Sequence, residues 1–169
     1  MKTAVAKVHV KKTALFPEKH AGKKDHPEAG IVHSHIRAPG KSAPAAPTPS
    51  KVIEGVTAGL PIDELDALQA SLGIPIDELA RKLGISKATL HRRKLEGRLG
   101  RNESDRVVRF ARLMGKAVEV FETEANARSW LSSPQFGLGG AAPLDYAETE
   151  VGAREVEDLL GRIEHGVYS

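Results

Sequence analysis

The chain of 169 residues has no cysteine, which excludes disulfides, thiolate metal sites and a cysteine nucleophile. That absence fits a reducing compartment. Aromatic residues make up only 4%, so a core must come from Leu, Val, Ala and Ile. No apolar run approaches the roughly 18 residues of a membrane span. Nor does an apolar run of about 7–15 residues follow the basic N-terminus, so no signal peptide is expected. Internal repeats and a convincing strand pattern are missing too. The expectation is an all-α, cytoplasmic protein of one or two small domains, with no membrane association.

What is present is charge, and it is segregated. Residues 1–50 hold nine Lys or Arg against Glu18, Asp25 and Glu28. Residues 86–112 hold nine more against Glu96, Glu103 and Asp105. Residues 145–169 reverse the balance, with seven acids against Arg154 and Arg162. One region is thus suited to polyanions and the other to a basic partner.

Six of the ten prolines and five of the seven histidines fall in residues 1–50. Few large apolar residues occur there, and no period of 2 or 3.6 is sustained. Such a stretch cannot offset its ordering entropy by burial. Residues 1–58 are therefore expected to form a disordered, basic, Pro/Ala-rich tail, with residues 1–50 dispensable for folding. His33-Ser34-His35 lacks further ligands at useful spacing, and no metal or cofactor is expected.

From Leu60 the pattern is helical. Pro61 suits a first turn, and Leu65, Leu68 and Leu72 recur on one face before Gly73. Pro75 opens a short helix, Ile76 to Leu83, that ends at Gly84. Ser86 is a good N-cap for the next, which runs towards Gly97. A longer helix from about Asn102 to Glu122 carries a stripe of Val107, Phe110, Ala111, Met114, Val118 and Phe121. Glu124 to Leu131 reads as a short helix bearing Trp130, and Pro134 to Ala142 as a Gly-rich turn. Pro143–Tyr146 suggests one helical turn. Thr149 caps a last helix whose inward face is Val156, Leu159, Leu160 and Ile163. Leu138-Gly139-Gly140 has no strand before it and no Lys/Ser after it, so it is a turn, not a phosphate loop. Asp63-Glu64 and Asp77-Glu78 complement helix dipoles and are not a catalytic pair. No catalytic residues are expected, and the chain is not expected to be an enzyme.

Residues Ile76–Leu90 meet the demands of a helix-turn-helix. Ala80 is the small contact between the helices, Gly84 the turn residue, and Leu79, Leu83, Ile85 and Leu90 the clamp. An ordinary helical hairpin with a glycine stop is the bland alternative. In a DNA complex the helix from Ser86 enters the major groove by its N-terminal half. Lys87, Ala88, His91 and Arg92 face base edges, with Arg92 the leading candidate for guanine. Ser86, Thr89, Arg93, Lys94 and Arg98 are placed for phosphates. One monomer offers few such contacts, so a homodimer on paired half-sites is expected.

Three further stretches carry a resemblance. They are Glu96-Gly-Arg-Leu-Gly with Glu103-Ser-Asp-Arg-Val and Phe110-Ala-Arg; Trp130-Leu, Pro134, Leu138-Gly-Gly and Pro143-Leu-Asp; and Thr149-Glu-Val-Gly-Ala with Val156 and Leu159 through Ser169. From about Leu60 onward the chain resembles the Xre/MbcA/ParS-type antitoxins of bacterial toxin–antitoxin pairs. It departs at Gln135-Phe136-Gly137, where an Asn commonly follows the proline. The resemblance implies a helix-turn-helix unit over residues 59–100 that represses its own operon by binding operator DNA. It implies a helical toxin-binding domain over residues 101–169 that inhibits a RES-type, NAD-consuming toxin. Trp130, Arg162, Glu164, His165, Tyr168 and Ser169 are the expected toxin contacts, with acidic groups standing in for NAD phosphates. A stand-alone helix-turn-helix regulator without a toxin is the rival reading.

Overall fold

The computed structural model describes residues 30–36 and 47–167. Among these the chain is all-α. The helices are α1 Ile31–Ile36, α2 Pro49–Ala58, α3 Ile62–Leu72, α4 Ile76–Lys82, α5 Lys87–Glu96, α6 Arg101–Phe121, α7 Glu124–Ser132, α8 Pro143–Tyr146 and α9 Glu150–Glu164. A 3₁₀ turn, Phe136–Leu138, precedes α8. Each expected helix from Leu60 onward is present.

The 21-residue α6 is the axis of the fold. The expected stripe is buried from Val107 to Val118, but Leu113, Gly115 and Ala117 are buried as well. The middle of the helix is therefore enclosed on more of its circumference than one stripe implies, with α1, α2, α3, α7 and α9 all packed on it. Its first turn is tied down by Glu103, whose Oε2 accepts from the Gly100 N–H at 2.5 Å. Ser104 is fully buried; its hydroxyl accepts from Leu60 N–H and donates to the Gly100 carbonyl, both at 2.8 Å.

The two ends of the α3–α5 unit meet beside that hydroxyl. Leu99 N–H donates to the Leu60 carbonyl at 2.8 Å and Ile62 N–H to that of Gly97 at 3.0 Å. Pro61 and Arg98 form an isolated antiparallel bridge. Gly59 is required here: its φ is +84°, and a Cβ would lie 2.3 Å from the Leu99 carbonyl oxygen.

The expected tail is corrected in two places, since α1 and α2 both lie within residues 1–58. Val32 and Ile36 of α1 are in the core, so residues 1–50 are not all dispensable for packing. The rest of the expected tail, residues 1–29 and 37–46, lies outside the described residues. Glu64 explains how so short a helix is held. Its carboxylate is nearly buried and accepts from Ile31 N–H at 2.8 Å and Val32 N–H at 2.9 Å. A negative charge thus satisfies two of the unpaired donors at the start of α1. The sequence assigned Glu64 only to the dipole of its own helix. On the other side α1 touches α6 at Gly115, where a Cβ would overlap the His35 carbonyl.

Ile36→Ala is expected to remove about 2 kcal/mol or more of stability, the usual cost of truncating a buried aliphatic side chain. The measurement is a urea unfolding midpoint. A midpoint equal to that of the parent would return α1 to the tail.

Candidate nucleic-acid and protein interfaces

The helix-turn-helix is built by the six residues assigned to it. Leu79, Ala80, Leu83, Ile85 and Leu90 are buried, and Gly84 takes φ +64°. The turn is closed by Ile85 N–H to the Ala80 carbonyl at 2.8 Å. Arg106 of α6 donates to the Leu83 carbonyl at 2.7 Å, covering the end of α4.

Of the nine residues expected to meet DNA, five stand outward on α5. Lys87, Ala88, His91, Arg92 and Lys94 are exposed. Two of these have long, open ion pairs, Lys87 with Asp77 at 3.6 Å and Arg92 with Glu96 at 3.8 Å, which an incoming phosphate or base could displace. Ser86 and Thr89 form the N-cap, the Ser86 hydroxyl accepting from Thr89 N–H at 3.2 Å. Arg93 and Arg98 are engaged inside the chain. Arg93 donates to Glu103 at 2.8 Å and Glu96 at 2.7 Å, which raises its pKa further, first through Glu103. Arg98 donates to the Gly59 carbonyl at 2.6 Å. The first fastens α5 to the start of α6, the second the segment after α5 to the chain at Gly59.

The C-terminal helices are fastened to α4 and α6 by charge. Arg109 meets Glu150 at 2.8 Å, Arg112 meets Glu157 at 3.3 Å, and Lys116 meets Glu164 at 2.6 Å. Positions 150, 157 and 164 repeat every seven residues along one face of α9, opposite 109, 112 and 116 on α6. Glu148 reaches Arg81 at 3.6 Å, and Asp145 reaches the nearly buried Lys82. Five of the seven acids of residues 145–169 are thereby paired with bases of α4 and α6. The separation of charge along the sequence is largely closed within the fold.

The expected toxin contacts divide accordingly. Arg162 and His165 are exposed. Glu164 is half of an ion pair, and its carboxyl is held below the ordinary range by the Lys116 hydrogen bond. Trp130 is half-buried, its ring 5.3 Å from that of Phe121 at 36°. Tyr168 and Ser169 lie outside the described residues. Sequence reasoning passed over Phe136, which is fully exposed, and the Lys82–Asp145 link. The first was visible only as a departure in a turn, the second only as a lysine on the inward side of a two-turn helix.

A groove of about 880 Å³ runs between α2 and α6, with apolar lining from Val52, Ile53 and Val108 and basic lining from Arg101 and Arg112. None of its lining residues is among those expected to touch DNA or toxin. Beside it, burial holds the His35 pKa below the ordinary value, with Arg112 adding to the effect. Among the described residues no helix is long and apolar enough to cross a membrane, and no group of three or more His, Asp or Glu is suited to a metal.

Residues 51–112 match the family model of the antitoxin Xre-like helix-turn-helix domain. Residues 116–166 match that of the antitoxin Xre/MbcA/ParS C-terminal toxin-binding domain. The two matches meet inside α6. An Antitoxin Xre of Yersinia enterocolitica is 40% identical over 120 residues, which covers 70% of this chain and 81% of that protein. An Antitoxin Xre of Photorhabdus laumondii is 36% identical over 113 residues, or 66% of this chain and 76% of that one. A Prs ADP-ribosylating antitoxin of a Sphingobium species is 25% identical over 121 residues, again 66% and 76%.

The Lys116–Glu164 pair makes a pH-dependent prediction. The folded-state pKa of Glu164 lies below its unfolded value. Its contribution is therefore present above the ordinary carboxylate pKa and is lost as pH falls through the folded value. Lys116→Met is expected to return the Glu164 carboxyl to the ordinary range, read by carbon-13 NMR titration. An unmoved titration would mean that the pair does not form in solution.

Proposed function

The chain belongs to the Xre/MbcA/ParS family of antitoxins, and we propose that it inhibits a cognate RES-type, NAD-consuming toxin while repressing its own operon. The observation that carries this reading is the joining, through one helix, of a fully formed helix-turn-helix to a domain matching the family's toxin-binding module. It acts by binding and not by turnover, as a homodimer in the cytoplasm. The outward Lys87, His91, Arg92 and Lys94 form the DNA face, and Arg162 and His165, with Tyr168 and Ser169, the toxin face. The NAD chemistry is supported by the resemblance and by the Sphingobium relative, whose name includes ADP-ribosylation. That modification consumes NAD, so transfer of ADP-ribose to a protein is the second form of toxin activity to assay.

Co-purification with the product of the adjacent gene tests the reading. The complex is expected to release no nicotinamide from NAD, and the freed partner to release it. Labelled ADP-ribose appearing on protein would favour the transferase form. Failure of the two products to associate would favour a stand-alone regulator.

The DNA face has its own test. Arg92→Ala is expected to cost about 1–3 kcal/mol of operator affinity and to relax preference at one base pair. Lys94→Ala is expected to weaken all sequences about equally. Arg93→Ala, by contrast, is expected to lower the unfolding midpoint, since it removes the bonds to Glu96 and Glu103. Unchanged operator affinity in both Arg92→Ala and Lys94→Ala would take α5 out of the groove.

Deleting Gly166–Ser169 is expected to spare the fold, because the buried side chains of α9 end at Leu160. Operator binding should survive and toxin neutralisation should fall sharply. A folded, DNA-competent truncation that still protects cells from the toxin would remove the terminal residues from the toxin face.

A further inference from the structure

Phe136 is fully exposed, at 101% of its reference area. It is the most exposed large apolar side chain among the described residues, yet it does not sit on a loose loop. Gln135 N–H donates to the Ala141 carbonyl at 3.0 Å, and Gly140 N–H returns to that of Gln135 at 2.9 Å. The Gln135 side chain donates to the Ser133 carbonyl at 2.9 Å and to that of Trp130 at 3.2 Å. Leu138 anchors the turn in the core. Gly137 lies directly against α9, where a Cβ would be 3.0 Å from Leu159 Cδ1. The turn is thus held from both sides, with Leu138 turned into the core and Phe136 left in water.

We propose that Phe136 is the apolar anchor by which the C-terminal domain engages its toxin, seated in an apolar pocket of that protein. The inference rests on the proposed antitoxin function and names a specificity-determining residue within it. Two observations favour the toxin as the occupant. The turn lies inside residues 116–166, the stretch that matches the toxin-binding module. It also rests on Leu159, and Arg162 and Ile163 follow Leu159 at helical spacing, so Phe136 stands beside the α9 surface already assigned to the toxin. The α9 face bearing Glu150, Glu157 and Glu164 is turned to α6. A turn whose backbone is fixed before binding loses little entropy on docking, and aromatic rings dominate binding energy out of proportion to their area.

The test uses the full chain and the product of the adjacent gene, with affinities measured by calorimetry for the parent, Phe136→Ala and Phe136→Tyr. Phe136→Ala is expected to weaken the complex by about 30-fold or more. Phe136→Tyr is expected to stay within a few-fold of the parent, and operator affinity and unfolding midpoint to be unchanged in both. Equal toxin affinity of Phe136→Ala and the parent overturns the assignment while leaving the antitoxin function standing. Loss of self-association in size-exclusion chromatography, with toxin affinity unchanged, also overturns it and gives the ring to a second copy of this chain. A parent chain that does not bind the adjacent product removes the inference together with the reading beneath it.

Discussion

Among the described residues the constraint on which the two halves depend is packing against α6, onto which α1, α2, α3, α7 and α9 are built. At about 1.5 Å per residue its length is on the order of 30 Å, and both halves of the protein are built onto it. Its N-terminal half holds the helix-turn-helix through Glu103 on Arg93, Ser104 on Leu60 and Arg106 on the end of α4. Its C-terminal half holds α9 through Arg112 and Lys116 and packs Phe121 against Trp130. No flexible linker separates the helix-turn-helix from the C-terminal helices, because α6 runs through both matched segments. The expected division at residues 100 and 101 falls at the start of α6, a helix that packs against both sides.

Apolar burial and ion pairing do different work on this axis. Each fully buried Leu or Phe around α6 is worth about 1.5–3 kcal/mol, whereas exposed ion pairs contribute little. The α6–α9 ladder therefore adds less to stability than Val156 and Leu160 beneath it. Its effect is on register: sliding α9 by one turn would bring Glu150, Glu157 and Glu164 out of line with Arg109, Arg112 and Lys116. Buried charge is another matter. Glu64 is satisfied by two backbone donors of α1, so losing α1 would leave a carboxylate in the core without its partners. An unmet buried acceptor costs about 1–3 kcal/mol. That dependence binds the short first helix to the domain more firmly than its six residues suggest.

The helix-turn-helix was legible because its constraints are local. A small residue, a left-handed glycine and four clamping side chains fall within fifteen positions, and each acts on its neighbours. The stripes of α6 and α9 were legible by period. Most of what escaped shares a different property: its partner lies on another element and becomes a neighbour only after folding. The six residues of α1 are too few to show a period, and the carboxylate that caps them is over thirty residues downstream. Arg93 and Arg98 read as phosphate contacts because Glu103 and the Gly59 carbonyl become their neighbours only after folding. Trp130 and Glu164, expected at the toxin, have partners in Phe121 and Lys116 for the same reason. Phe136 was noticed only as a departure from a familiar turn, since a lone Phe in a sequence does not say whether it is buried or displayed.

The closing of charge within the fold changes how the basic region is to be read. Counted along the chain, residues 86–112 are a strongly cationic stretch, with nine bases against three acids. In the structure Arg93, Arg98, Arg106, Arg109 and Arg112 are each committed to a carboxylate or carbonyl of the same chain. This leaves Lys87, Arg92 and Lys94 on α5 and Arg101, exposed at the first position of α6. Internal pairing thus narrows the free cationic charge of this stretch to α5 and the adjoining start of α6, and on the proposed DNA face that favours one docking orientation over diffuse adhesion. It also leaves one protomer with only a few phosphate contacts. Because each neutralised phosphate adds to affinity through counterion release, the homodimer proposed above would supply from two copies on paired half-sites what a single copy lacks.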